Sequence, residues 1–92
     1  MSVTHEPDQS RFVFTDDAGV IAGEVTYVHD NGTLVLTKAE IWPDRQGEGL
    51  GIPLVRQTLE MIRQQELGPI RPQCPFIAKF MMKNPEFGDL SA

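Results

Sequence analysis

Apolar and polar positions alternate through the first half of the chain and recur every three or four residues through the second. Phe12-Val13-Phe14 is a short β-prone run, and Asp16-Asp17-Ala18-Gly19 after it reads as a turn. From Val20 to Val28 β-branched residues dominate. Ile21, Gly23, Val25 and Tyr27 share one face of that segment, and Glu24 and Thr26 the other. Asp30-Asn31-Gly32 separates it from the next run, Thr33–Trp42. Asn-Gly between two β-prone segments predicts a tight hairpin, because both residues tolerate positive φ. The apolar pattern lapses at Thr37-Lys38-Ala39, which predicts a bend. Leu50, Leu54, Val55, Thr58, Leu59 and Ile62 then follow helical spacing and predict an amphipathic helix over Ile52–Glu66. Gly68 reads as its left-handed cap, and Pro69 blocks continuation. Pro69–Gln73, with prolines at 69 and 72, reads as an edge or splayed strand. Pro75–Lys83 reads as a second helix with proline at a tolerated early position, ended by Asn84-Pro85.

The order is an antiparallel meander followed by helix, strand and helix, an α+β class in which the strand–helix–strand crossover predicts a parallel pair. A chain of 92 residues suits one domain. The polar stretch 1–10 reads as a flexible lead-in to a domain spanning 11–92, and Glu86–Ala92 as a loosely packed tail.

Charge and composition narrow the function. The net charge of -5 disfavours nucleic acid as a partner. It favours a cationic acceptor such as an amine, although mild acidity also serves solubility alone. No apolar stretch is long enough to span a bilayer, and the N-terminus lacks the basic-then-apolar order of a secretory signal. The one cysteine, Cys74, forms no internal disulfide, which points to a cytoplasmic, reducing compartment. His5 and His29 stand apart from any ligand-spaced set, so no metal is expected.

The candidate chemistry lies in Asp44-Arg45-Gln46-Gly47-Glu48-Gly49-Leu50-Gly51. Three glycines at alternate positions let the backbone approach a ligand closely, and the helix that follows offers unsatisfied N–H groups and a positive dipole end. Pro53 has no N–H and sets the helix start near Gly51 or Ile52, which leaves the amides of Gly47 to Gly51 for an anion. A Walker loop would need Gly-Lys-Ser/Thr where Gly51-Ile52-Pro53 stands, and a dinucleotide fingerprint from Gly47 would need glycine at Ile52. The loop is a phosphate cradle of neither kind, or a glycine-rich connection that binds nothing.

The segment Ile41 to Gly51 resembles the acetyl-CoA motif of the GNAT N-acetyltransferase superfamily, with Gln46, Gly49 and Gly51 in its defining positions and Ile41 and Pro43 before them. Pro72-Gln73-Cys74-Pro75-Phe76, followed by Pro85-Glu86-Phe87, is similar to the end of the short, single-domain Yjdj-type branch. The resemblance covers about Phe12 to Leu90. It implies a minimal GNAT fold with a splayed parallel strand pair, acetyl-CoA as cosubstrate, and transfer of acetyl to an amine on a small molecule or protein. A noncatalytic CoA-binding or protein-interaction module is the alternative.

On that resemblance the CoA contacts are Ile41, Gln46, Gly47, Glu48, Gly49, Leu50 and Gly51, with Lys79 and Lys83, one helical turn apart, as candidate partners for phosphate and Arg45 as a third; each of the three cations, taken singly, also reads as solvated surface charge. Glu40 is the candidate general base, or an outward strand carboxylate. Cys74 is a candidate nucleophile, or a small core residue. Lys38-Ala39 stands where the branch often carries His-Thr. Phe80, Met81 and Met82 stand where larger members often carry a tyrosine acid, and no acceptor-site helices lie between Phe14 and Val20.

Overall fold

A computed structural model describes residues 1–92. Five strands form one sheet in chain order: β1 (Ser2–Glu6), β2 (Arg11–Thr15), β3 (Ile21–Asp30), β4 (Thr33–Ile41) and β5 (Ile70–Pro72). The first four pair antiparallel, and β5 runs parallel to β4 after the crossover through helix α1 (Gly51–Gln64). Helix α2 (Pro75–Lys83) follows β5 directly. Between β3 and β4 Asn31 and Gly32 adopt φ of 51° and 83°, the two left-handed positions that the Asn-Gly pair predicts.

Two bulges decide which residues face inward. In the β2–β3 pair Phe14 opposes Gly23 and Thr15 opposes Ile21, so Ala22 is an extra residue. Ala22 therefore enters the core, and Ile21, expected on the buried face, is half-exposed. In the β3–β4 pair Tyr27 opposes Leu36 and Thr26 opposes Lys38, which makes Thr37 the extra residue and realises the predicted bend. The Thr37 hydroxyl lies 3.1 Å from the Thr26 carbonyl and donates to it, pinning the bulge. Before it, Leu34 and Leu36 point inward; after it, Ala39 and Ile41 do, and Glu40 points to the opposite face.

One apolar cluster joins Leu54, Val55, Leu59 and Ile62 of α1 and Ile77 and Phe80 of α2 to Phe12, Val25, Leu34 and Leu36 of the sheet. No helix is long and apolar enough to cross a membrane.

Three expectations are corrected. The lead-in is an edge strand: Val3 is buried, His5 stacks on Phe12 at 4.5 Å between ring centroids, and His5 Nε2 lies 2.6 Å from the Tyr27 hydroxyl. The sequence hides this because polar residues surround the single apolar Val3. The tail is docked: Phe87 and Leu90 are buried, and the Arg63 guanidinium lies 5.0 Å from the Phe87 ring centre while donating to the Glu86 carbonyl. The left-handed cap of α1 is Glu66, at φ 54°, rather than Gly68. Leu67 N–H donates to the Ile62 carbonyl at 3.0 Å and Glu66 N–H to that of Arg63 at 3.2 Å, a Schellman closure with Leu67 packed on the core.

Candidate functional site

The parallel pair ends abruptly. Leu34, Leu36 and Val35 pair with Ile70, Pro72 and Arg71, and then the Leu36 carbonyl accepts both the Gln73 N–H at 2.9 Å and the Cys74 N–H at 3.1 Å. Beyond this point the chain turns into α2, so Thr37 to Ile41 have no strand partner on that side. Trp42 N–H donates to Ala22 across the β3 side at 2.9 Å. By strand alternation Ile41 therefore turns its own N–H and C=O toward the open side. The Ile41 carbonyl accepts a hydrogen bond from Gln46 Nε2 at 3.1 Å. The Gln46 side chain thus latches the loop to the strand end.

The glycine loop borders this gap. Gly47 and Gly49 have φ of 90° and 74°, a region that side chains with a Cβ rarely enter. Gly51 answers a different demand: a Cβ there would stand 3.0 Å from Cζ of Phe76. Helix α1 opens at Gly51, as Pro53 predicts, and its first turn closes with Leu54 N–H on the Leu50 carbonyl. None of the amides from Gly47 to Gly51 has a backbone acceptor within the chain. They border a cleft of about 380 Å³ whose walls include Ile41, Gln46, Leu50, Ile52 and Phe76. Free amides, left-handed glycines and a helix N-terminus together have the chemistry that suits an anion.

Arg45 stands at the rim of this cleft but does not offer its charge. Its Nη1 donates to Asp16 at 2.8 Å, and its Nε and Nη2 to Glu48 at 3.0 and 3.2 Å. These contacts, Glu48 first, raise the guanidinium pKa further. Asp16 is held below the usual carboxylate range first by the Val20 amide and then by Arg45. Glu48 faces this ion pair and does not line the cleft.

A second cavity of about 220 Å³ adjoins the first, sharing Ile52 and Phe76, and Lys79 and Lys83 line it. Ile41, Gln46, Gly47, Gly49, Leu50 and Gly51 are thus gathered at one cleft, with the two lysines beside it. Glu40 and Cys74 line neither cavity. Glu40 is half-exposed on the sheet face away from the helices, 3.1 Å from Lys38 Nζ. Cys74 is the N-cap of α2, buried in the core. The sequence reading passed over Ile52 and Phe76 as site residues. Their signal is exposure of large apolar side chains, 50% and 44%, beside a glycine loop.

The family model for GCN5-related N-acetyltransferases matches residues 11–90. The chain belongs to that family. It is an acetyltransferase by that membership, and the strand, glycine loop and helix just described fall inside the matched region. The solution structure of a GCN5-like N-acetyltransferase candidate from Staphylococcus aureus superposes with a TM-score of 0.67 at 22% identity, covering 99% of this chain and 87% of that one. The five-stranded GNAT-like architecture is shared with it. Nourseothricin acetyltransferase aligns at 32% identity over 63% of this chain and 35% of its own, with a TM-score of 0.41. No curated protein matches the chain in sequence.

Proposed function

We propose that this GCN5-related protein binds acetyl-CoA in the cleft beside the glycine loop and transfers the acetyl group to an amine. The observation that carries the reading is the set of free amides from Gly47 to Gly51 beside an unpaired strand end at Ile41. The amides and the α1 N-terminus receive the CoA diphosphate, and Lys79 and Lys83 supply cationic contacts to phosphate. The pantetheine arm follows the unpaired edge of β4 from Thr37 to Ile41, about 16 Å of strand. Ile41 N–H donates to the thioester carbonyl oxygen as negative charge grows there.

Glu40 is the proposed base. It takes a proton from the acceptor ammonium, directly or through one water, and the freed amine attacks the acetyl carbon without an enzyme-bound acyl group; the C–S bond then breaks, and CoA leaves as a thiolate that takes up the proton the nitrogen sheds on becoming an amide. The bulge at Thr37 aims Glu40 at the sheet face opposite the helices, so the acceptor approaches from there. The connections Pro7–Ser10 and Asp16–Val20 are short and put no α-helix over that approach. The single cysteine supports a cytoplasmic setting.

Titration calorimetry with CoA, followed by mass-resolved acetyl transfer from acetyl-CoA to a panel of amines, tests the reading. Absence of CoA binding by the unmodified protein overturns it.

A further inference from the structure

An ammonium group already lies against the proposed base: Lys38 Nζ stands 3.1 Å from Glu40 Oε1. The amines of the chain are those of Lys38, Lys79, Lys83 and the N-terminus. Lys79 and Lys83 line the cavity on the helix side, and the N-terminal amine pairs with Asp17 beside the opposite edge strand, β1. Lys38 alone shares a strand with Glu40. Nor does another cation compete for this carboxylate. Glu24 opposes Glu40 across the β3–β4 pair, but Arg11 turns to Glu24, with Nη1 at 3.1 Å. Thr26 opposes Lys38, and its hydroxyl lies 3.0 Å from that of Thr37.

The direction of the Lys38 side chain matters as much as its partner. Lys38 and Glu40 lie two residues apart on one face of β4, beyond the Thr37 bulge. To reach Glu40 the lysine stem leans forward along the strand, toward Ile41 and the unpaired edge that would hold the thioester. The two side chains are 55% and 41% exposed, and an ion pair so open to water is weakly held. The amine can therefore part from the carboxylate once its proton has passed across. A tethered amine in this place competes with dissolved acceptors at the effective molarity of an intramolecular group.

Resting on the acetyl-CoA reading, we infer that Lys38 is a self-acetylation site: bound acetyl-CoA passes its acetyl group to Lys38 Nζ of the same chain, with Glu40 as the base. Glu40 takes one proton from the Lys38 ammonium. The freed Nζ attacks the acetyl carbon and an N–C bond forms, while the negative charge on the carbonyl oxygen gathers at the Ile41 N–H. The C–S bond then breaks. CoA leaves as a thiolate and takes up the second proton, which the nitrogen sheds on becoming an amide. The proton held by Glu40 passes to water. The neutral amide left on Lys38 no longer pairs with Glu40 as an ammonium does.

Incubation of the natural chain with saturating acetyl-CoA and no added amine, followed by peptide-resolved mass spectrometry over time, tests this beside calorimetry with CoA. An acetyl group is expected on Lys38, at a rate that does not change as the protein is diluted, because the step occurs within one chain. Lys79 and Lys83, on the helix side, report the background of uncatalysed acetylation, and the urea-unfolded chain reports it for Lys38 itself. Glu40→Gln, checked as folded by a thermal melt, should slow acetylation at Lys38 by about 10²-fold, the usual contribution of a general base. Lys38 modified no faster than in the unfolded chain, by a protein that binds CoA, overturns the inference and leaves the acetyl-CoA reading standing. A rate that rises with protein concentration overturns transfer within one chain. A folded Glu40→Gln variant as fast as the natural chain overturns the part given to Glu40. Failure to bind CoA overturns the acetyl-CoA reading beneath it.

Discussion

Arg45 donates from Nη1 to Asp16 Oδ2 at 2.8 Å, tying the glycine loop to the turn between β2 and β3, 29 residues earlier in the chain. Asp16 is itself fixed by the Ala18 and Val20 amides, both at 2.9 Å from Oδ1. On its other side Arg45 grips Glu48, which lies between the two left-handed glycines. The loop is therefore braced from the rim of the cleft, and its amides are held in place before any ligand arrives. Arg45→Met should weaken CoA binding on the order of tenfold, the scale of one charge-assisted contact, through loss of that preorganisation. Asp16→Asn should weaken it less. Calorimetry beside a thermal melt checks this, and unchanged affinity in Arg45→Met would refute the brace.

At the far end of the sheet, His5 lies against Phe12 and Tyr27. Burial first, and then the positive field of His29, lower its pKa. A histidine whose folded pKa is lowered takes up protons more readily in the unfolded chain. Its contribution is therefore fully present above the ordinary value of about 6.5 and is lost as pH falls through the folded one. The melting temperature should fall from pH 7 toward pH 5, and His5→Gln should flatten that limb. A natural-chain curve that stays flat across this interval excludes the effect.

Much of this architecture is legible in the sequence because its signals are local. Asn31-Gly32 fixes a hairpin, the spacing from Leu50 to Ile62 fixes α1, and Pro53 places the start of that helix. The Thr37 bend is legible as a lapse in pattern, but not its consequence, because a one-residue bulge inverts every side chain beyond it. Strand β1 is hidden since it is held by His5 on Phe12 and Tyr27, partners distant in sequence. The docked tail is hidden for the same reason, depending on arginines of α1. At the site, the loop residues are readable from glycine spacing, but the Arg45–Asp16 brace and the wall formed by Phe76 require the folded chain.

Gly49 gives the most direct test of the loop. Its φ of 74° disfavours any side chain, while no atom lies within 4 Å of where a Cβ would stand. Gly49→Val should cost about 1–2 kcal/mol of stability from backbone strain and abolish measurable CoA binding, because the side chain would project into open space at the cradle. Gly51→Ala should act differently, pushing on the Phe76 ring. A Gly49→Val variant that folds and binds CoA normally would place the diphosphate elsewhere.

Glu40 separates chemistry from binding. Its side chain points to the face opposite the helices and lines neither cavity, so Glu40→Gln should leave CoA affinity within about twofold. Turnover should fall by about 10²-fold or more, the usual contribution of a general base. Steady-state kinetics beside calorimetry resolves the two quantities. Equal losses in both would mark Glu40 as a structural partner of Lys38.

Cys74 distinguishes a covalent route from direct attack. Its amide is bound to the Leu36 carbonyl, its side chain is buried in the apolar cluster, and it lines neither cavity. A thiol in that position suits packing rather than nucleophilic attack, and the direct route is the expected one. Cys74→Ser places a hydroxyl in the buried apolar cluster and should cost about 1–3 kcal/mol of stability. Turnover should persist, recovering fully at a temperature where the variant is folded. Mass spectrometry of the natural protein incubated with acetyl-CoA and no acceptor should find no acetyl group on residue 74. A stoichiometric acetyl-Cys74 species that passes its acetyl group to an added amine would establish the covalent route instead.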